Sequence, residues 1–199
     1  MSDRAYEVYD WDGEPNLDEL RRLMDKQAAD PAQTLIGLAE LAGRGSTMSM
    51  VYLAHAYRKG IGADVDPARS REWFERAAAA GSLLASYELG WLYWNDKDFE
   101  KALRAASAGV DRGYPPSMYL LATMYEHGRG VPVDVRRARE LLEVAVAHGH
   151  VFAKRSLGRL LIKGHFGIWQ IPRGILLILS GIKDVLILAP RDRKSERLR

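Results

Sequence analysis

Apolar side chains recur at regular intervals through the middle of the chain, and several of these intervals change together. Within each copy the apolar residues lie at positions i, i+3, i+4 and i+7, which is the pattern of a helix face rather than of a strand. A leucine marks four copies and a tyrosine follows it by four residues in three of them: Leu53 and Tyr57, Leu89 and Tyr93, Leu121 and Tyr125, and Leu157 alone. The leucines are 36, 32 and 36 residues apart, so the pattern predicts tandem helical repeats.

Each copy also contains a second predicted helix, which is rich in alanine and ends at a glycine. The closing glycines Gly81, Gly113 and Gly149 are 32 and 36 residues apart, so they shift with the leucines. Each should adopt the left-handed conformation that commonly ends a helix. Small residues recur eleven and four positions before each glycine. These residues are Ser70, Ala77, Ala102, Gly109, Ala138 and Ala145.

Two of these copies resemble the Sel1-like repeat family, which is related to the tetratricopeptide repeats. The matching segments are YLAHAYRKGIGADVDPARSREWFERAAAAG and YLLATMYEHGRGVPVDVRRARELLEVAVAHG. The copy between them, ASYELGWLYWNDKDFEKALRAASAGVDRG, lacks four loop residues and is similar to a tetratricopeptide turn. The resemblance implies an all-α fold, a right-handed α-solenoid of Sel1-like and tetratricopeptide-like helix pairs.

The repeats divide the chain into five expected segments that differ in charge and in hydrophobic pattern. They are an acidic N-terminal arm at 1–15, an N-terminal capping helix pair at 16–45, three Sel1-like repeats at 46–149, a degenerate fourth repeat with an apolar C-terminal helix at 150–190, and a basic tail at 191–199. Terminal units of a solenoid need such caps because a single helix pair cannot bury its own apolar face.

Glycine-rich loops, GIG and GRG, separate the two helices of the first and third copies. A phosphate-binding loop would follow a strand, whereas a helix precedes these loops and their glycines recur with the repeat. The resemblance therefore implies turns in which glycine supplies backbone freedom. The glycines concerned are Gly60, Gly62, Gly128 and Gly130. Helix N-caps are predicted at Asn16, Asp30, Asp66 and Asp134, and Pro31 is predicted at a first helical position.

Charge is distributed unevenly along the chain. Residues 1–30 hold nine acidic and four basic side chains, whereas residues 150–199 hold eleven basic and three acidic ones. A basic end suits an acidic partner or an anionic lipid surface, and the alternative is that both ends only keep the chain soluble. The absence of cysteine excludes disulfides and thiolate zinc sites and is typical of the cytoplasm. The acidic N-terminal residues have no apolar core, so a secretory signal is not expected.

The sequence predicts no catalytic residues, no cofactor and no metal site. The five histidines, His55, His127, His148, His150 and His165, form no helical ligand pair and are interpreted as ordinary surface residues. Glu72 and Glu75 are interpreted as part of a solvated helix face. We therefore expect a non-catalytic adaptor or scaffold that binds proteins. The alternative is a hydrolase whose site lies in the concave groove.

The first helices of such repeats line the concave face, and the resemblance implies that a protein partner binds there. The side chains expected on this face are His55, Arg58, Tyr87, Trp91, Trp94, Tyr119, Arg155 and Arg159. Aromatic and arginine side chains are typical anchors of binding surfaces. The alternative for the two tryptophans is that they fill space beside the shortened loop. No nucleic-acid partner is expected, because the middle of the chain is neutral.

The predicted C-terminal helix is apolar on nearly every side, which is unusual for the end of a repeat array. Its predicted docking residues are Ile175, Leu176, Leu179, Ile182 and Leu186. The apolar run is short for a membrane span and contains Lys183 and Asp184. Three alternatives remain: the helix docks on a membrane surface or membrane partner, closes the solenoid, or spans the membrane. Basic residues beyond it favour the inner face of a membrane, and the apolar end could also form a homodimer.

Overall fold

The computed structural model describes residues 14–195, and it describes side chains for residues 14–183. No strand occurs within this part of the chain. Its ten α-helices are α1 (Leu17–Lys26), α2 (Pro31–Gly43), α3 (Thr47–Lys59), α4 (Pro67–Ala79), α5 (Leu83–Asn95), α6 (Phe99–Asp111), α7 (Pro115–His127), α8 (Val135–Ala147), α9 (Val151–Ile162) and α10 (Ile171–Ser195), and a 3-10 turn at Ile168–Gln170 precedes α10. Residues 1–13 of the predicted arm, and the side chains of Leu186 and of the basic tail, lie outside the described part.

The helices form two compact units that divide after Asp98. Unit 1 contains α1–α5 and unit 2 contains α6–α10. Within each unit, every helix packs against the next helix in the chain. The first helices of the repeats are α3, α5, α7 and α9, and the second helices are α4, α6, α8 and α10. The predicted helix pairs are therefore present in both units.

The glycine loops have the left-handed backbone conformation that the sequence predicts. Gly60 and Gly128 end α3 and α7 with φ of 71° and 63°. Gly130 has a φ of 73°, and a Cβ at this position would lie 2.8 Å from the carbonyl oxygen of Phe99. The GRG loop therefore needs glycine both for its conformation and for its approach to α6. This geometry is that of a turn between two helices, as the sequence predicts for GRG.

Most of the predicted helix caps are confirmed, and one is wrong. The carboxylates of Asp30, Asp66 and Asp134 each accept a hydrogen bond from main-chain N–H groups in the first turn of the following helix. Asn16 makes no such bond. The buried carboxylate of Glu14 instead accepts hydrogen bonds from the main-chain N–H groups of Asn16 and Met48, both at 3.2 Å. Glu14 thus connects the start of α1 to the start of α3.

Unit 1 is held together by two groups of buried side chains. Leu20, Leu38 and Leu41 pack with the start of α3, where Met48 and Leu53 are fully buried. A second group joins α3, α4 and α5 around the ring of Phe74, which has no exposed surface. The members of this second group are Val51, Ala54, Phe74, Ala77, Ala85 and Leu89. Burial of these side chains drives the helices together because each contributes apolar surface removed from water.

Unit 2 ends with two antiparallel helices that pack very closely. A Cβ at Gly158 in α9 would lie 2.7 Å from the carbonyl oxygen of Gly174 in α10, and the reverse distance is also 2.7 Å. Glycine at both positions therefore allows the two backbones to meet. One side of α10 is consequently buried against α9, as the closing alternative for the C-terminal helix requires. The opposite side of α10 remains exposed and is described below.

Candidate partner-binding site

In unit 1, three polar side chains of α3 and α5 form a charged cluster. The guanidinium of Arg58 donates to the Glu88 carboxylate at 2.8 Å and lies 2.8 Å from Nδ1 of His55. The His55 ring stands edge-on to Phe74, with ring centroids 5.1 Å apart. Burial lowers the pKa of His55 and nearby Arg58 lowers it further, and the Glu88 carboxylate offsets only part of this shift. The predicted residues His55 and Arg58 thus contact each other on α3, and both lie against Glu88 of α5, which the sequence did not single out.

The three predicted aromatic side chains of α5 form a continuous row. The rings of Tyr87 and Trp91 are 6.3 Å apart and perpendicular, and those of Trp91 and Trp94 are 5.9 Å apart at 68°. All three side chains are half-buried. Edge-to-face contacts of this kind hold aromatic rings in fixed positions. The row therefore presents a rigid, partly exposed apolar strip on the first helix of the shortened repeat.

In unit 2, an aromatic cluster joins the start of α9 to α7. The Tyr119 ring lies 5.1 Å from the His150 ring and 6.5 Å from the Phe152 ring. Phe152 is 51% exposed, and the guanidinium of Arg155 lies 6.0 Å from its ring centroid. An arginine stacked on an exposed ring combines a cation with an apolar surface. Phe152 was not predicted, although it lies three residues before Arg155 and hence on the same side of α9.

Further along the same helices, Arg159 and Lys163 share one carboxylate. They lie 3.4 Å and 2.7 Å from the Glu126 oxygens, and the Glu126 side chain is only 5% exposed. Burial by itself raises the pKa of Glu126, but the hydrogen bond from Lys163 and the two positive charges outweigh it and lower the pKa overall. Glu126 is therefore a buried anion that pairs with two cations, and both cations remain about half exposed.

The interpretation of His150 as an ordinary surface histidine is wrong. His150 is 4% exposed, and its Nδ1 accepts a hydrogen bond from the main-chain N–H of Ala153 at 3.0 Å, so it caps α9. Ser46 and Ser82 cap α3 and α5 from the equivalent position, seven residues before the repeat leucine. Burial lowers the pKa of His150 to about 4. A neutral imidazole is required there, because a protonated Nδ1 could not accept the bond.

The outer side of α10 carries an exposed apolar face. Ile175, Leu176, Leu179 and Ile182 are 46%, 67%, 58% and 49% exposed, and Trp169 in the preceding turn is 87% exposed. These residues recur at helical spacing, so they share one side of the helix. No helix within residues 14–183 is long and apolar enough to cross a membrane. The exposed strip is named the α10 apolar face below.

Outside these surfaces, an open cleft of about 360 Å³ lies beside α8. It is lined by Arg136, Arg139, Glu140, Glu143 and Phe166. Its carboxylates are engaged in ion pairs, since Glu143 lies 3.1 Å from Arg139 and 3.4 Å from Arg173. None of the predicted partner-binding residues lines the cleft. Among the described residues, no group of three histidine, aspartate or glutamate side chains could hold a metal ion.

Comparisons with known proteins agree with this arrangement of helix pairs. The family model for the Sel1 repeat matches residues 47–82, 83–109 and 115–150. The chain is 30% identical over 78 residues to a putative sel1-like repeat-containing protein of Acanthamoeba polyphaga mimivirus. That match covers 39% of this chain and 15% of the viral protein, so the chain spans a small part of this curated relative.

Two solved structures share the fold over nearly the whole chain. A Sel1 repeat protein from Oxalobacter formigenes superposes with a TM-score of 0.74 at 19% identity, covering 91% of this chain and 80% of that one. The protective antigen c5321 of uropathogenic Escherichia coli gives a TM-score of 0.70 at 22% identity, covering 90% of this chain and 40% of the antigen. The expected all-α solenoid fold is thereby confirmed. Because the family model matches three consecutive segments that contain the repeated helix pairs, the chain belongs to the Sel1-like repeat proteins.

Proposed function

We propose that this chain is a non-catalytic adaptor that binds a protein partner through the outward side chains of its first helices. Sel1-repeat proteins are generally protein-interaction scaffolds. The observation that carries the proposal is the row of Tyr87, Trp91 and Trp94 on α5, whose rings are partly exposed and fixed by edge-to-face contacts. Partly exposed, rigid aromatics lose little conformational entropy on binding and are frequent anchors of interfaces.

The charged cluster beside this row supports the same proposal. Arg58 and Glu88 hold each other in place at 2.8 Å, with side-chain exposures of 37% and 19%. Because the two charges compensate each other, a partner can cover them without leaving an unbalanced charge. The row and the cluster would then act as an apolar anchor and a polar rim, which is the usual organisation of an interface.

The adaptor is further proposed to act at the cytoplasmic face of a membrane, with the α10 apolar face as its contact. Four residues of this face are exposed, whereas the outer side of a surface helix is normally polar. Residues 150–183 contain six lysines and arginines and no acidic residue. An apolar helix side beside an excess of cations suits the interface of an anionic bilayer.

Partner binding is tested by replacing Trp91 and Trp94 with alanine. The double variant should retain the helical circular dichroism of the parent chain but lose the proteins captured by the parent from a cell extract, as quantified by mass spectrometry. The matched control is Trp73→Ala, which removes a half-buried tryptophan from the second helix α4 of the same unit. Equal losses in both variants would refute a specific role for the α5 row.

Membrane contact is tested by vesicle flotation with Leu176→Asp and Leu179→Asp. The parent chain should float with phosphatidylcholine vesicles that contain phosphatidylserine, and the two variants should stay in solution. Val133→Asp changes an equally exposed apolar residue in the loop before α8 and should float like the parent. If the parent does not float but forms a dimer that these variants disrupt, the α10 apolar face is a homodimer interface and the membrane proposal fails.

A further inference from the structure

The first-helix side of unit 2 carries an excess of positive charge. Arg159 and Lys163 are 51% and 46% exposed, and both depend on the single carboxylate of Glu126. Arg155 adds a third cation on the same side of α9, and no carboxylate among the described side chains pairs with it. The first-helix side of unit 1 differs, because Arg58 there is matched by Glu88. The excess is therefore a property of α7 and α9 rather than of every repeat.

An exposed apolar surface lies directly beside these cations. Phe152 is half exposed, packs with Tyr119 at 6.5 Å, and carries the Arg155 guanidinium above its ring at 6.0 Å. Stacking on the ring restricts the guanidinium, so its donors are held in position before a ligand arrives. The guanidinium fork matches the two oxygens of a carboxylate. The combination recognises a carboxylate that has an apolar side chain close to it.

We propose that the cationic surface formed by Tyr119, Phe152, Arg155, Arg159 and Lys163 binds an acidic peptide segment that also carries an aromatic or aliphatic residue. This inference rests on the proposed adaptor function and names the chemistry of the partner in unit 2. Arg155 and Lys163 are eight residues apart on nearly continuous helix, which is about 12 Å along the axis. An extended peptide covers that distance with about four residues. The apolar residue of the peptide would lie on Phe152, and its carboxylates would follow towards Lys163.

The test measures fluorescence anisotropy of three labelled peptides with the full chain. They are GGFDEDEGG, its neutral counterpart GGFNQNQGG and its basic counterpart GGFKRKRGG. The acidic peptide should bind at least about tenfold more tightly than the neutral one, because hydrogen bonds between charged groups are the strong ones. Its affinity should fall as sodium chloride is raised, because exposed charges are screened.

Variants of the chain then locate the binding site. Arg155→Glu should weaken binding of the acidic peptide by about tenfold or more, since it replaces an attraction by a repulsion. Arg136→Glu makes the same change of charge at an exposed position of α8 and should leave the affinity within about twofold of the parent. Circular dichroism should show equal helical content in both variants, since both side chains are exposed on their helices.

Three results would overturn the inference. The first is equal binding of the acidic and neutral peptides. The second is an equal effect of the two arginine variants. The third is a loss of flotation with phosphatidylserine vesicles in Arg155→Glu while peptide binding is unchanged, which would make this surface a lipid site. If the acidic peptide fails but capture of partners still depends on Trp91 and Trp94, the adaptor function stands and only the present inference is refuted.

Discussion

The buried side chain of His150, which caps α9, makes the stability of this chain depend on pH. Replacing this histidine should remove that contribution. In the folded state, burial holds the pKa of His150 at about 4, and the ordinary pKa of a histidine is 6.5. Above pH 6.5 the imidazole is neutral in both states and the cap is fully present. Between pH 6.5 and about 4 the unfolded chain binds a proton that the folded chain excludes, so stability falls as the pH falls.

The magnitude follows from the two pKa values. A difference of roughly 2.5 pKa units corresponds to about 3 kcal/mol in total, at about 1.4 kcal/mol per unit. About 2 kcal/mol of this should be lost between pH 7 and pH 5, because the unfolded histidine is almost fully protonated at pH 5 and the folded one is not. His150 is 4% exposed, so solvent does not screen this effect substantially.

The assay is urea unfolding followed by circular dichroism at pH 7, 6 and 5, with the parent chain and His150→Ser. Serine caps α3 and α5 from the equivalent position, so the variant keeps the cap and loses only the titrating ring and its packing. At pH 7 the variant should be less stable than the parent. Between pH 7 and pH 5, however, the parent should lose about 2 kcal/mol more stability than the variant. Equal pH dependence in His150→Ser and the parent would refute the reasoning, as would an imidazole NMR titration of His150 near pH 6.5.

Three further substitutions and one control substitution test the packing. Gly158→Ala should lower the free energy of unfolding by about 2 kcal/mol, because its Cβ would meet the Gly174 carbonyl oxygen at 2.7 Å. A Cβ at Gly181 would meet no atom of the described residues within 4 Å, so Gly181→Ala should raise the free energy of unfolding by up to about 1 kcal/mol. Equal effects of the two substitutions in urea unfolding would contradict the close approach of α9 and α10. Ser70→Ala should stabilise unit 1 by about 1 kcal/mol in the same assay, because its buried hydroxyl has no hydrogen-bond partner among the described residues, and a loss of stability would show that it has one. Gly130→Ala should lower the thermal unfolding midpoint, since its φ of 73° disfavours a side chain and its Cβ would meet a carbonyl oxygen of α6 at 2.8 Å; an unchanged midpoint would mean that the loop can move away.

The sequence predicted the helix pairs and their turns because those features depend on local chemistry. A closing glycine needs a positive φ, a capping aspartate needs only the next turn of the helix, and a small residue is required wherever two helices cross. The closing glycines Gly81 and Gly149 and the capping residues Asp66 and Asp134 are of this kind, and the structure places them as predicted.

The binding surfaces could be predicted only in part, because they depend on contacts between helices far apart in sequence. Glu88 lies 30 residues from Arg58, and Lys163 lies 37 residues from Glu126, so neither pairing has a local signal. His150 could have been recognised, since it occupies the position of Ser46 and Ser82 in the repeat. One side of the C-terminal helix packs on α9, as the closing alternative expects, and the docking of its exposed side stays a prediction.

The central claim is that the first helices bind a protein partner, and site-specific photo-crosslinking tests it most directly. A benzoylphenylalanine placed at Trp91 or Phe152 in the full chain, expressed in cells, should give discrete crosslinked products of higher mass after irradiation. The same group at Val144, an exposed position on the second helix α8, should give none. Absence of products from both first-helix positions, or equal products from Val144, would contradict the account.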